Sequence, residues 1–474
     1  MVVYQIYPRS FQDSDGDGVG DLRGIEQRLD HLSWLGVDAL WLSPTYPSPQ
    51  ADMGYDVADF EGVDPAFGTL DDFDRLLAAA HDRGLKLLMD MVPCHTSIEH
   101  PWFRDHPERY IWSPVDGPPN NWVAAFGGSA WSPDPHGRGW YLHSFYPEQP
   151  DLDWRNPDTV AGIQRAIRFW IERGVDGFRL DAIHSLMKDP ELRDDPPARG
   201  HFGLPLHGDY ARLDHVHSAN SPDIAIALAA LREAAGDALL VGEVFLPAAR
   251  LAPYLEHVDM TFAFELFFAA WERDSLATAI EAGARLGRAA AWVLSNHDFA
   301  RLPDRYGAAN VRAAAMLALT LPGTAFIYQG DEIGQPNGSG AKPPFDRAGR
   351  DPYRHPMQWD ATPAGGFTDG VPWLPLTDPQ QRNVAAQRDD AGSLLTLYRE
   401  LIAIRRRLPE GGFELLRDAD PGVLAYRRGD HLVAINLTSE ERRAPPHGEP
   451  LLATAEGAGS GLLPPHAGAI AQAL

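Results

Sequence analysis

The chain has 474 residues, 44% hydrophobic and 23% charged, which excludes disordered and collagen-like classes and allows one large domain with attachments or two to three domains. Its formal charge of −25, from 66 acids against 41 bases, argues against a nucleic-acid or anionic-membrane partner, because phosphate contacts need a basic face. No window approaches the roughly 18 uninterrupted apolar residues that span a bilayer. The N-terminus MVVYQIYPRSF lacks a basic segment leading into a long apolar one, and the single cysteine, Cys94, fits a reducing compartment, so a cytoplasmic protein is expected.

Short runs dense in Val, Ile, Leu and aromatics predict strands at 2–7, 37–43, 85–91, 175–180, 238–244, 258–264, 290–296 and 324–329. They show little alternation, the pattern of parallel strands buried on both faces. Between them fall helical segments at 22–35, 70–83, 158–173, 222–235, 267–285 and 308–321, with a short one at 247–256 after a proline. In the first, Leu22, Ile25, Leu29, Leu32 and Leu35 share one face. Eight strand–helix alternations predict an α/β chain folded as a (β/α)8 TIM barrel. A doubly wound open sheet is the alternative, and no GxGxxG follows a strand to support it.

One connection, 92–174, is far too long for a simple loop and is rich in Pro, Gly, Trp and Asn. We assign 95–156 to an inserted subdomain after strand three, and 1–94 with 157–407 to the barrel. A Pro/Gly-rich stretch runs from 330 to about 378, and a helix follows at 391–407. FELLR, VLAYRR and HLVAINL are short strand candidates, so 408–474 is read as a small C-terminal β-sandwich.

In such barrels chemistry sits at the C-terminal ends of the strands. Here strand three ends in Asp90 and His95, strand four in Arg179 and Asp181, strand five in Glu243, and strand seven in Asn296, His297 and Asp298. Any one of these could be a cap, but four strand ends carrying carboxylates argue for a site.

DMVPCH (90–95), GFRLDAIH (177–184), GEVF (242–245) and SNHD (295–298), in this order, resemble the four signature regions of the α-amylase family of glycoside hydrolases, family 13. QPDLDW (149–154), YQIYPRSF (4–11), GYD (54–56), YQGDEIG (328–334) and PMQW (356–359) resemble the α-glucosidase and oligo-1,6-glucosidase branch. The resemblance implies Asp181 as nucleophile, Glu243 as general acid/base and Asp298 as the third carboxylate, gripping sugar hydroxyls. It implies substrate contacts from Asp52, Tyr55, His95, Phe145, Gln149, Arg179, His297 and Arg350. Arg179 would hold Asp181 ionised, and Asp90 would brace Arg179. Arg350 and Arg354 lie in the loop after strand eight, and an ion pair from Asp52 to one of them would close the pocket behind a single sugar.

DSDGDGVGD (13–21) offers Asp13, Asp15, Asp17 and Asp21, with the Val19 carbonyl, as oxygen ligands at calcium-loop spacing. Gly24 stands where an EF-hand needs Glu, so this is not an EF-hand; it resembles the single calcium loop of the same branch. A structural calcium is expected, with magnesium the alternative and no organic cofactor. Three positions depart from the usual pattern or bear on specificity: Cys94 replaces Asn before the region-one histidine, His184 stands where Asn is common, and Ala182 follows the nucleophile, which accompanies α-1,4 rather than α-1,6 preference.

The expected activity is that of a retaining, exo-acting α-glucosidase on short α-glucosides, in a monomer or small homo-oligomer. Its rivals are a trehalose synthase-like isomerase or transglycosylase, and a catalytically inactive binding subunit.

Overall fold

The structure is a computed structural model describing residues 1–199, 208–459 and 461–473. Eight parallel strands close into a barrel in chain order: β1 (Val2–Ile6), β2 (Ala39–Leu42), β3 (Lys86–Met91), β4 (Gly177–Leu180), β5 (Leu239–Gly242), β6 (Met260–Phe262), β7 (Ala290–Trp292) and β8 (Thr324–Tyr328). β8 returns to β1 with Val2 opposite Ala325. Every predicted barrel strand is present. The reason the runs look uniformly apolar is visible in the packing. Val3, Trp41, Leu88, Val241, Phe262 and Phe326 fill the barrel interior, while Tyr4, Leu40, Leu87, Phe178 and Leu240 pack outward against the helices.

Several helices begin where capping side chains supply acceptors to the free backbone N–H groups. Asp21 accepts from Gly24 N at the start of α1 (Leu22–Gln27). Thr69 and Asp72 form a reciprocal capping box at Leu70–Asp82, and Asn156 caps Pro157–Glu172. Two predicted helices are broken. The 22–35 segment divides at Arg28 (φ −105°, ψ 4°) into α1 and Leu29–Leu35, which ends at left-handed Gly36. The 267–285 segment becomes Phe264–Phe268 and Arg273–Ala284, separated by extended backbone at Ala269 and Glu272. In the first case the apolar spacing continues across the break, so periodicity could not reveal it; in the second the polar run 272–275 interrupts the spacing close to the break.

Between β3 and the helix at Pro157–Glu172, the inserted segment forms a hairpin, Trp131–Pro133 with Trp140–Leu142, around Trp122, Ala130, Trp131 and Leu142. The tail forms a five-stranded antiparallel sheet in the order Phe413–Leu415, Val423–Arg428, His431–Asn436, Gly468–Ala473, His447–Ala453. A two-stranded ribbon, Arg442–Arg443 with Leu462–Leu463, lies with it, and Leu463 packs in a core with Val423, Ala425, Ala434 and Ala469. The last two strands of the large sheet are short on the β-branched residues that mark strands, and the sequence reading did not name them. The segment 189–221 includes 200–207, which lie outside the described residues.

Candidate active site

Strand register brings the strand-end residues together. Asp90 on β3 is level with Arg179 on β4, and Leu180 is level with Gly242 on β5. The next residue on each of these two strands is Asp181 and Glu243, so the pair emerges side by side at the top of the barrel. Arg179 and Asp181 are two apart and share the inward face.

Arg179 joins three carboxylates. Its Nη1 donates to Asp90 Oδ1 at 2.7 Å and to Asp181 Oδ1 at 2.6 Å, and its Nη2 pairs with Glu243 Oε1. Trp41 Nε1 and Tyr55 Oη donate to the other oxygen of Asp90, at 3.2 and 3.0 Å. Asp90 therefore braces Arg179. The backbone N–H of Ala182 donates to Glu243 Oε2 at 3.2 Å. Ala182 has φ +44°, a left-handed conformation unfavourable to a residue with a side chain, and this turns the chain away immediately after Asp181.

Burial pushes the Glu243 carboxyl up to about 8; Arg179 opposes the shift, and Asp181 and Asp298 reinforce it. Burial also raises Asp181, against the pull of Arg179. Asp298 goes the other way. Burial alone would raise it, but the charges of His297 when protonated and of Arg350, Arg354 and Arg179 hold it well below the usual carboxylate range, and the three guanidiniums remain charged at neutral pH. The cluster is thus sorted into one group that keeps its proton at neutral pH, Glu243, and one that has lost it, Asp298.

Asp298 Oδ1 accepts from Arg350 Nη1 at 2.9 Å and from Arg354 Nη2 at 3.1 Å. Arg350 Nη2 also pairs with Asp52, so one guanidinium ties the loop after β8 to the segment after β2. Asp346 fixes that guanidinium from behind, at 2.8 Å to Nη2 and 3.0 Å to Nε. His297 is fully buried between Tyr55 and Tyr7, whose rings lie 5.4 and 5.7 Å away at 7° and 20°. Burial holds His297 neutral, down to about 3.

These residues surround a cavity of about 670 Å³ lined by Asp52, Tyr55, His95, Phe145, Asp181, Ala182, Glu243, Asp298 and Arg350. Arg179, His297 and Gln149 do not line it. They stand one layer back, at 1%, 0% and 0% exposure, and hold residues that do. Gln149 Nε2 donates to Asp52 Oδ2 at 3.0 Å and lies 2.9 Å from His95 Nε2. Cys94 is buried beneath the wall, its Sγ 3.0 Å from His95 Nδ1.

The cavity also has walls not read from the sequence. Phe126 and Tyr146 stack at 4.3 Å, with Arg350 over Phe126. Tyr210, His215 and Asn220 contribute from the segment after β4, next to His184, and Phe245 and Phe299 from the ends of β5 and β7. Phe126 sits in an AFGG turn that carried a loop signal but no chemical one, and 208–220 has no periodic pattern to place it.

The acidic loop lies apart from the cavity. Carboxylate oxygens of Asp13, Asp15 and Asp21 come within 4.8 Å of one another. Asp17 is not part of this group, and its Oδ1 accepts from Val19 N at 2.7 Å. Asp13 is further held by N–H groups of Asp15, Gly16 and Gly18 and by Thr368 Oγ1. An all-oxygen, all-carboxylate donor set of this size fits a hard divalent cation.

Residues 5–410 match the family model for the alpha amylase catalytic domain, and residues 390–470 match a domain of unknown function (DUF3459). The chain is 40% identical over 460 residues to a probable alpha-glucosidase of Rhizobium meliloti (strain 1021), a match covering 86% of this chain and 82% of that protein. It is 36% identical over 519 residues to an oligo-1,6-glucosidase of Parageobacillus thermoglucosidasius, covering 94% and 92%. Among solved structures, the alpha-glucosyl transfer enzyme XgtA superposes with a TM-score of 0.91 at 37% identity, covering 100% of this chain and 98% of that one.

Proposed function

The chain belongs to the α-amylase family and is a glycoside hydrolase, and we propose that it is a retaining, exo-acting α-glucosidase releasing glucose from the non-reducing end of short α-glucosides. The observation that carries this reading is the pairing of Asp181 and Glu243 on one Arg179 guanidinium at the wall of a cavity closed by Asp52 and Arg350. A retaining mechanism needs its two carboxyl groups about 5–5.5 Å apart, and binding to neighbouring nitrogens of one guanidinium keeps Asp181 and Glu243 close neighbours, which supports that reading.

In this mechanism Asp181 attacks the anomeric carbon while Glu243 gives its proton to the departing oxygen. Glu243, now ionised, then takes a proton from the water that opens the glucosyl–Asp181 ester. Asp298, ionised between Arg350 and Arg354, is placed to accept from hydroxyls of the reacting sugar. Tyr55, His95 and Phe145 complete the wall around it. Arg179, His297 and Gln149 hold the groups that touch substrate.

Glucosyl transfer is the second reading, favoured by the similarity to an alpha-glucosyl transfer enzyme and by the walls formed from 210–220, Phe245 and Phe299 beside His184. An inactive binding subunit has nothing to recommend it, since all three carboxylates are present and held. No helix among the described residues is long and apolar enough to cross a membrane. A cytoplasmic location is part of the proposal, supported by the lone, buried Cys94.

The substrate test is kcat/KM on maltose, isomaltose, maltotriose, trehalose and sucrose with glucose detection. Maltose should be preferred over isomaltose, maltotriose should be shortened from its non-reducing end, and starch viscosity should fall slowly. Ala182 lines the cavity beside the nucleophile, so Ala182→Val should move the ratio toward isomaltose. A methylene difference in a pocket bounds the shift at about 10–200-fold. A β-branched residue at φ +44° is strained, so the ratio of the two substrates on one protein is the quantity to read. Rapid thinning of starch, or an unchanged ratio, overturns the exo or the linkage assignment respectively.

We assign the acidic loop to a structural calcium held by Asp13, Asp15 and Asp21, with the Val19 carbonyl and Asp17 as further oxygen sources; magnesium is the alternative. Chelation should lower the melting temperature, and calcium should restore it better than magnesium. Asp15→Ala with Asp21→Ala should abolish that response. A melting curve indifferent to chelator and to added calcium refutes the site.

A further inference from the structure

Lys188 is one of three lysines in the chain, and it is 3% exposed. It lies seven residues after Asp181, on the segment carrying Ala182, His184 and Ser185 into the cavity wall. Its ammonium has three protons and meets three acceptors: Asp151 Oδ2 at 3.0 Å, Ser144 Oγ at 2.7 Å and the Ser185 carbonyl at 2.7 Å. Asp151 is wholly buried and also accepts from Ser144 N at 2.7 Å and Ser144 Oγ at 2.6 Å. The result is a closed polar knot between the segment after β4 and the inserted subdomain.

The far side of that knot reaches the sugar-facing wall. Asp151 pairs with His95 in a β-bridge, and Leu152 N donates to Cys94 O at 3.0 Å. Gln149, two residues before Asp151, holds Asp52 and His95. A shift of Asp151 is therefore passed to His95 and, through Gln149, to Asp52.

We propose that Lys188 is a positioning residue, which through Asp151 holds His95, Gln149 and Asp52 in register with the segment that bears the nucleophile. This rests on the reading of Asp181 as nucleophile. Lys188 touches no substrate. It fixes the distance between the wall that grips the sugar and the group that attacks it. Displacements of about 1 Å in such an arrangement cost on the order of 10²-fold in rate.

The test compares Lys188→Met, Asp151→Asn and the double variant by melting temperature, by kcat and KM on p-nitrophenyl α-glucoside, and by calorimetric binding of 1-deoxynojirimycin. Each single variant leaves a charge or a polar group unmatched and should melt early. The double variant buries no unpaired charge and should regain the wild-type melting temperature. If Lys188 positions the wall, the double variant keeps a kcat about 10²-fold low and binds the iminosugar at least tenfold more weakly. A double variant that recovers kcat and iminosugar affinity together with stability overturns the proposal and leaves the pair a structural one. So does a Lys188→Met kcat within twofold of wild type. Wild-type protein that binds the iminosugar but releases no glucose defeats the hydrolase reading instead, and the binding arm still decides the role of Lys188.

Discussion

Replacing Asp181 by Asn should lower kcat by about 10⁴-fold or more while leaving the melting temperature close to wild type. The change keeps the shape of the side chain and one acceptor for Arg179 Nη1, so the barrel top is not asked to repack. What disappears is the carboxylate that, on the proposed mechanism, forms the glucosyl ester. Glu243→Gln should cost less in the first step when the leaving group is good, because departure then needs no proton, and about 10²–10⁴-fold when it is poor. Azide should rescue Glu243→Gln on p-nitrophenyl α-glucoside by attacking the anomeric carbon without a base, displacing the Asp181 carboxylate and giving a glucosyl azide. It should not rescue Asp181→Asn to the same retained product. Near-normal turnover in either variant would sink the assignment. The pH profile adds a check. Glu243, raised to about 8, must be protonated to act as the acid, so wild-type activity should fall as pH rises through that region, and the limb should be missing from the Gln variant.

How much of this was legible in the sequence depends on whether a feature is local. The eight strands were legible because burial on both faces leaves an unbroken apolar run, and all eight lie within the stretches read. The carboxylates at strand ends were legible because barrel topology sends every such end to one face. Layering was not. Arg179, His297 and Gln149 sit in motifs as strong as those of Asp181 and Asp298, yet they stand behind the cavity wall, and only strand register and side-chain direction decide which residue of a motif reaches the surface. Asp346 was invisible for a related reason: its role is to hold Arg350, four residues on, and an Asp in a Pro/Gly-rich loop carries no such mark. Phe126, Tyr210 and His215 reach the cavity from segments without periodicity, through contacts distant in the chain. Asp17 shows the limit of spacing taken alone. Its spacing fits the metal loop, but the turn directs its carboxylate to Val19 N and leaves it outside the cluster of three.

Removing Arg179 should also be damaging, though less so than removing Asp181, and in a way that reports its cause. Its guanidinium is 1% exposed and faces Asp90, Asp181 and Glu243, three buried acids for one cation. It lowers the proton affinity of all three against the effect of burial. In Arg179→Met that opposition is gone, so each acid holds its proton to higher pH. For Glu243, the proton donor, this is harmless. For Asp181 it is not, because a nucleophile must be ionised. The acid limb of kcat/KM should therefore move to higher pH, and the alkaline limb set by Glu243 should rise with it. Stripping one partner from a buried, hydrogen-bonded charge pair costs about 3–5 kcal/mol. If all of it falls on the transition state, the loss is roughly 10²–10⁴-fold. Arg179→Lys separates charge from geometry. An ammonium restores the positive charge but cannot offer two nitrogens in one plane to Asp181 and Glu243. It should return the acid limb toward its wild-type position while recovering little of kcat. A Met variant with reduced activity and an unmoved acid limb would show that Arg179 serves only to hold the carboxylates in place, and that the ionisation of Asp181 is set elsewhere.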